Sequence, residues 1–386
     1  MFKIKLLFLS IFSVQALAHG LEGERSTVSE SGWLTKSLVM DKAMDFTHTY
    51  MYEPIIAKTY DLLEQYNYET SQISTFKLNL IDEINLKSKL KFSARHKKMQ
   101  RVYIKGENGE KLKYSIYDGE LSAKTKRSVD DSYSEAKLKF EFFKSPYDTP
   151  RPLILVFPPV MGNTALDRTV ATMLAEKGAH VLLINLNNLF TENKSVNQLS
   201  KEFHQTILLS KMLTQSIMNK FQAQIDTQRV GVFGVSLGGI IASTLAGVVD
   251  EIEYLYVLGA GSNLADISYS SLRDSVTLIK DYELKNNEEF KQLSKSEVKD
   301  KWFEYTVPRY SVLDPASFAH RVDPDKVFML MSSIDTTVPY RNQLELWNSF
   351  GQPEYMLFEM SHISSIIRWL MAERGHMVDF FLSENK

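Results

Sequence analysis

The alternation of apolar and polar positions divides the chain into three stretches of different period. From Trp33 to Tyr66, Leu34, Leu38, Met44, Phe46, Met51, Ile55, Ile56, Tyr60 and Leu63 recur at helix-like intervals, and Pro54 divides them into two helices. The apolar stripe is expected to pack on the body that follows. Being amphipathic, the stretch is also the candidate for peripheral contact with a membrane surface. Between residues 76 and 143 the period shortens to two: Phe76–Ile81, Leu86–Phe92, Lys111–Tyr117 and Ala136–Phe143 read as half-buried strands, with Gly106-Glu107-Asn108-Gly109 as a turn before the third.

After Pro150, apolar strands alternate with helices, the pattern of a mostly parallel sheet. The strands are Leu153–Phe157, His180–Leu186, Arg229–Val235, Tyr254–Leu258, Val327–Met331 and Tyr355–Glu359. The helices are Thr164–Lys177 (closed by Gly178), Val196–Phe221, Leu237–Val249, Tyr340–Phe350 and a last one from Ile363 to Leu382. A charged, aromatic-bearing insert from about 262 to 321 interrupts the alternation. The expected organisation is therefore an N-terminal helical and β-rich extension over 19–144, then an α/β domain over 145–386 with a helical cap at 262–321. Neither internal repeats nor low-complexity segments stand out.

The first residues read as an export signal rather than as fold. Met1 to Lys5 is basic, Leu6 to Val14 apolar, and Ala16-Leu17-Ala18 is a small-x-small cleavage pattern, so cleavage is expected to leave His19 first. The apolar run is shorter than the roughly 20 residues of a membrane-crossing helix, and no later segment is expected to span a membrane. A periplasmic or secreted protein is expected.

Composition narrows the chemistry. A net charge of −2 gives no general argument for nucleic acid. Between Lys77 and Arg127, 14 basic side chains stand against 6 acidic ones, read as the solvated faces of strands. With no cysteine, a thiolate metal site and a cysteine nucleophile are excluded. No histidine/carboxylate cluster has ligand spacing and no glycine-rich dinucleotide fingerprint follows a strand, so neither metal nor cofactor is expected.

The strongest chemical signal is Gly234-Val235-Ser236-Leu237-Gly238. A strand leads into it and an apolar helix leads out, which is the context of a nucleophile elbow. Gly234 and Gly238 leave room where a Cβ would collide, and Ser236 is presented at the strand end. A serine hydroxyl needs a base. Of the eight histidines, His362 follows the last strand by the short loop Met360-Ser361, at the same edge of the sheet as the serine. His376 lies inside the final helix, His320 in the insert, His204 in a long helix and His180 at a strand start. Asp335, in the turn after Val327–Met331 and ahead of Pro339, is the candidate acid. Asp266 is the runner-up, and Asp325 stands on the wrong side of its strand. Oxyanion donors are expected from the backbone N–H of Leu237 and from the loop after Phe157. There Pro158 and Pro159 have no N–H, so Val160 is preferred, with Met161 the alternative.

With these residues in place, the chain from about 145 to 386 resembles the α/β-hydrolase superfamily. The order serine, acid, histidine, the Ser332-x-x-Asp335-x-x-Val338-Pro339 turn and the Asp314-Pro315 pair before the acid strand are similar to the dienelactone-hydrolase, acetyl-esterase and prolyl-oligopeptidase-like branches. The resemblance implies a twisted, mostly parallel sheet of about eight strands flanked by helices, often with a cap where this chain has its insert. Two departures are the proline pair, where many relatives carry histidine–glycine, and Ser361, where a glycine commonly precedes the histidine. The expected function is hydrolysis of a small-molecule carboxylic ester or other acyl substrate through an acyl-enzyme on Ser236. Tyr269, Leu272, Trp302, Phe303, Tyr305 and Tyr310 are candidate walls of the acyl pocket. The rivals are a serine peptidase or an acyltransferase on the same residues, or a non-catalytic binding protein on a hydrolase scaffold. A propeller of the prolyl-oligopeptidase kind has too little chain ahead of Ser145. The oligomeric state is not legible.

Overall fold

The computed structural model describes residues 62–63, 66, 72–85, 87–93, 98–105, 110–127, 130–159, 165–186 and 194–383. The export segment over 1–18, most of the helical stretch over 33–66, the Gly106–Gly109 turn and the oxyanion candidates Val160 and Met161 lie outside the described residues.

The strands are β1 (Gln72–Asn85), β2 (Lys87–Ser93), β3 (Lys98–Tyr103), β4 (Lys113–Arg127), β5 (Asp130–Lys144), β6 (Arg151–Phe157), β7 (His180–Asn185), β8 (Ile225–Val235), β9 (Tyr254–Leu258), β10 (Val327–Ser332) and β11 (Glu354–Phe358). Nine of them form one sheet in the order β1-β4-β5-β7-β6-β8-β9-β10-β11, and β2 pairs with β3 apart from it. From β7 through β11 every pairing is parallel, while β1, β4 and β5 are antiparallel to their neighbours. The apolar runs of β6 and β8–β10 follow from this: strands covered on both faces have no solvated side for a polar alternation to mark.

The strands ahead of residue 145 extend the same sheet. The sheet has nine strands, β1, β4 and β5 among them. The alternation in β5 shows why. Leu138, Phe140 and Phe142 are buried, while Lys137 and Lys139 face solvent. Burying each such phenylalanine is worth about 1.5–3 kcal/mol, so these strands are bound into the core rather than set beside it.

Connections place the helices. The chain passes from β6 outward to β7 through α1 (Ala165–Glu176), then back across to β8 through α2 (Val196–Lys220) and on to β9 through α3 (Leu237–Val248). Right-handed crossovers then set α1 on one face and α2 and α3 on the other. The α1 face also carries α8 (His362–Arg368) and α9 (Arg374–Leu382), whose side chains pack with Ile154, Val156, Phe233, Tyr256 and Phe328. The expected final helix is not continuous. A π turn over Trp369–Glu373 joins α8 to α9 and keeps Trp369 buried, its Nε1 donating to the Tyr256 hydroxyl at 2.9 Å.

The insert is helical, as expected: α4 (Leu264–Ser270), α5 (Asp274–Asn286) and α6 (Lys295–Tyr310), followed by short 3-10 turns before β10. Asp314 is buried and accepts the N–H groups of Leu264 (2.9 Å) and Ala316 (3.1 Å), which ties the start of the cap to its end. Desolvation holds its carboxyl up at about 6. Tyr66, also buried, lies with its ring tilted against that of His204 of α2, the centroids 4.8 Å apart. Helix α7 (Tyr340–Ser349) then leads from β10 to β11.

Candidate active site

The parallel strands all end at one edge, and the chemistry collects there. Ser236 follows β8 directly and has φ 55° and ψ −119°, a backbone conformation that side chains rarely adopt. Its N–H donates to the Leu258 carbonyl at 2.8 Å, which pins the turn to β9. The two glycines of the motif are required by contact. A Cβ on Gly234 would lie 2.3 Å from the Gly238 carbonyl oxygen, and one on Gly238 would lie 2.3 Å from those of Phe157 and Pro158. The elbow is therefore folded tightly against the end of β6, where the second oxyanion donor is expected.

His362 opens α8 and Asp335 lies three residues past β10. The structure brings them to the serine: His362 Nε2 is 2.9 Å from Ser236 Oγ, and His362 Nδ1 is 2.5 Å from Asp335 Oδ2. All three residues are less than a tenth exposed. The Asp335 carboxylate also accepts at Oδ1 from the N–H groups of Thr337 (2.8 Å) and Val338 (3.0 Å), and at Oδ2 from Gln343 Nε2 (3.0 Å). An aspartate surrounded by donors is an acceptor only. Nδ1 of His362 thus carries the ring proton and Nε2 offers its lone pair to the serine hydroxyl.

Two supporting residues were missed by sequence reasoning. Gln343, fully buried on α7, holds Asp335 while its Oε1 accepts the Ser332 N–H at 2.9 Å and its Nε2 also reaches the Val338 carbonyl at 2.7 Å. Gly259, with φ +59°, runs under the imidazole, where a Cβ would sit 3.0 Å from His362 Cε1. A glycine directly after an apolar strand was the signal available for the second. Nothing local marked the first.

The other candidates are engaged elsewhere. Asp266 is clamped by Arg341 at 2.7 and 3.0 Å, and Asp325 is exposed. His180 is buried, accepting the Ser145 N–H at Nδ1 and donating from Nε2 to the Gln224 carbonyl, and desolvation lowers it to about 4. His376 stands 3.3 Å from the Tyr256 hydroxyl, and His320 is exposed. Leu237 begins α3, so its N–H has no partner within the helix. Among the described residues, no group of three or more histidine or carboxylate side chains is arranged to hold a metal ion.

A narrow pocket lies over Ser236. Its walls are mainly aliphatic: Leu199 of α2, Leu237 and Ile240 of α3, Leu264 and Ile267 of α4, and Ile279 of α5, with Phe203, Val276, Leu313 and Val338. Of the six walls expected from the insert, Tyr310 alone lines it. Trp302 is buried in the cap, its Nε1 donating to the Ala265 carbonyl at 3.0 Å. Tyr305 packs edge-on against Phe290, Tyr269 against Phe303, and Leu272 is 77% exposed. These aromatics hold the cap helices to one another, which leaves the pocket to smaller side chains.

No protein-family model matches the chain, and neither does any curated protein. Among solved structures it is similar to acetyl xylan esterase 1 from Thermoanaerobacterium sp. JW/SL YS485, with 15% identity, TM-score 0.57, and 87% of this chain and 98% of that chain covered. It is equally similar to an acetyl xylan esterase from Paenibacillus sp. R4, with 15% identity, TM-score 0.57, and 86% and 99% covered. The likeness, with the nine-stranded sheet, shows the α/β-hydrolase fold.

Proposed function

We propose that on this α/β-hydrolase fold the chain is an exported serine hydrolase of carboxylic esters, with Ser236 as nucleophile, His362 as base and Asp335 as orienting acid. One observation carries the reading: a single imidazole spans 2.9 Å to the serine hydroxyl and 2.5 Å to a buried carboxylate. That is the spacing at which a base takes the serine proton as Oγ attacks. Ser236 Oγ bonds to the ester carbonyl carbon, its proton passes to His362 Nε2, and the carbonyl oxygen takes up the negative charge. The Leu237 N–H is one donor to that oxyanion, with the loop that follows Pro159 supplying the other through Val160 or Met161. As the intermediate collapses, the C–O bond to the alcohol breaks and His362 gives the alcohol its proton. Water, deprotonated by the same imidazole, then releases the acid. Asp335, its negative charge fixed by four hydrogen bonds, stabilises the imidazolium formed on the way.

The aliphatic pocket favours an ester of a hydrophobic acid over a peptide. That the two similar structures are named as esterases points the same way. No helix among the described residues is long and apolar enough to cross a membrane. Export rests on the basic, apolar and small-residue run of the first 18 positions.

A fluorophosphonate probe tests the reading, together with p-nitrophenyl esters of graded chain length and a proline-peptide substrate. Labelling and ester hydrolysis should both vanish in Ser236→Ala. Folded wild-type protein that is neither labelled nor active would return the chain to the binding-protein reading, and cleavage of the peptide in preference to the esters would make it a peptidase.

A further inference from the structure

The described residues that line the pocket over Ser236 are buried with two exceptions, Val276 in the first turn of α5 and Thr337, two residues past Asp335, which are half-buried. The segments carrying them are joined, since the Leu272 N–H donates to the Thr336 carbonyl at 2.9 Å. The pocket therefore meets solvent on the side of the acid. Its other end is closed by Phe203 of α2, Tyr310 at the end of α6 and Leu313 just beyond, which are 3%, 4% and 1% exposed. Two side-chain hydrogen bonds hold that end in place. Ser200 Oγ donates to the Arg309 carbonyl at 2.8 Å, fixing the end of α6 to α2, and Thr244 Oγ1 donates to the Leu313 carbonyl at 2.7 Å, fixing the next turn to α3. The Tyr310 hydroxyl is held by Ser268, so the pocket meets ring carbon there.

Position along α3 sets the depth. Ser236 immediately precedes the helix, Ile240 lines the pocket one turn on, and Thr244, a further turn along, holds Leu313. At about 1.5 Å of rise per residue, Ile240 and Thr244 stand roughly 6 and 12 Å beyond Ser236. The Leu313 side chain stops the pocket between those two levels.

An alkyl chain staggered at each C–C bond advances about 1.3 Å per carbon. We infer that the pocket takes one unbranched acyl chain of roughly five to nine carbons, laid along α3 with its carbonyl at Ser236 and its methyl end against Leu313. This deepens the ester-hydrolase reading and rests on it. The acyl side is the one concerned because it stays bound to Ser236 after the alcohol has left. A blind pocket suits the part that stays, whereas the leaving alcohol needs the open side at Val276 and Thr337. The chain is unbranched because the pocket is narrow and its walls are packed side chains, which resist widening. Leu313 is then the residue that sets chain length: each methylene is favourable while it finds an aliphatic wall, and the first one past the closed end must displace a side chain held to α3.

The test uses the whole chain and p-nitrophenyl esters from acetate to dodecanoate, with the cyclohexanecarboxylate beside heptanoate as a ring of the same carbon number. For the wild type, kcat/KM should climb about fourfold with each added methylene and stop climbing within the stated range. Leu313→Ala should move that stop about two carbons longer, and Leu313→Phe should move it shorter. The ring ester should lag behind heptanoate on the order of 10-fold. Because each profile is taken within one protein sample, the fraction of folded enzyme cancels. Acetate as the best substrate overturns the inference, as does a climb that continues through dodecanoate, a ring ester hydrolysed as well as heptanoate, or a stop that neither substitution moves. If esters are hydrolysed in these cases, the ester-hydrolase reading survives alone. If no ester is turned over, both fall.

Discussion

Gly259→Ala is the sharpest test of how the base is held. Gly259 has φ +59°, and the substitution puts a methyl group 3.0 Å from His362 Cε1 and 3.2 Å from Nδ1. Carbon atoms rest comfortably at about 3.5–4.0 Å, so ring and backbone must part by about half an ångström. The ring has little freedom to move, because it is fixed at 2.5 Å from Asp335 and 2.9 Å from Ser236. A shift of that size lengthens one of the two hydrogen bonds beyond its useful range. Misplacement of a reacting group by about 1 Å costs on the order of 100-fold in rate, so this smaller shift should lower kcat by roughly 10- to 100-fold. The left-handed backbone adds a stability cost of about 1–2 kcal/mol.

The assay pairs steady-state hydrolysis of a p-nitrophenyl ester with guanidinium denaturation of the same preparation. The expected outcome is a large fall in kcat, little change in KM, and a small loss of stability. The pocket proposed for the acyl chain is built by other residues, which is why KM should hold. A Gly259→Ala protein with wild-type kcat would refute the placement of the imidazole against this backbone. A protein that lost only stability would reduce Gly259 to a turn residue.

Two further outcomes follow from buried partners. Gln343→Met strips the partner from the Ser332 N–H and the Val338 carbonyl and removes one donor from Asp335. It should cost about 2–4 kcal/mol in denaturant unfolding and lower kcat more than it alters KM, as expected of a residue that positions the acid; unchanged stability would mean the amide is not buried as described. His180 is held down at about 4 against an ordinary value of 6.5. The unfolded chain therefore binds the proton more readily, and this residue's contribution is complete above about pH 6.5 and lost as pH falls through 4, by up to about 3 kcal/mol. Asp314, raised to about 6, pulls the other way over part of that range. The check is thus the difference between wild type and His180→Gln, whose stability should fall less steeply from pH 6.5 to 4; parallel curves would exclude His180 as the source.

What could be read from the sequence, and what could not, divides along physical lines. That Ser236, Asp335 and His362 meet was legible because each stands just past an apolar run, and strands of one parallel sheet end at one edge. That reasoning needs no knowledge of side-chain packing. How the first strands join the sheet was not legible, for a related reason. Antiparallel strands with a solvated face alternate whether they form a sheet of their own or extend another, and pairing of β5 with β7 is invisible in either one. Gln343 and Gly259 act by tertiary approach, through contacts that no local pattern encodes. The cap is the hardest case. Trp302 and Tyr305 are the residues a reader would place around a substrate, yet their rings turn inward to hold the helices together, and α2, an ordinary amphipathic helix by its pattern, supplies Leu199 and Phe203 instead. The candidate chemistry thus sits at strand ends, where geometry is inherited from the sheet, whereas the pocket walls depend on which side of each cap helix meets the core. A likeness at 15% identity shows the fold alone, and the walls of the pocket have to be read from the packing of this chain itself.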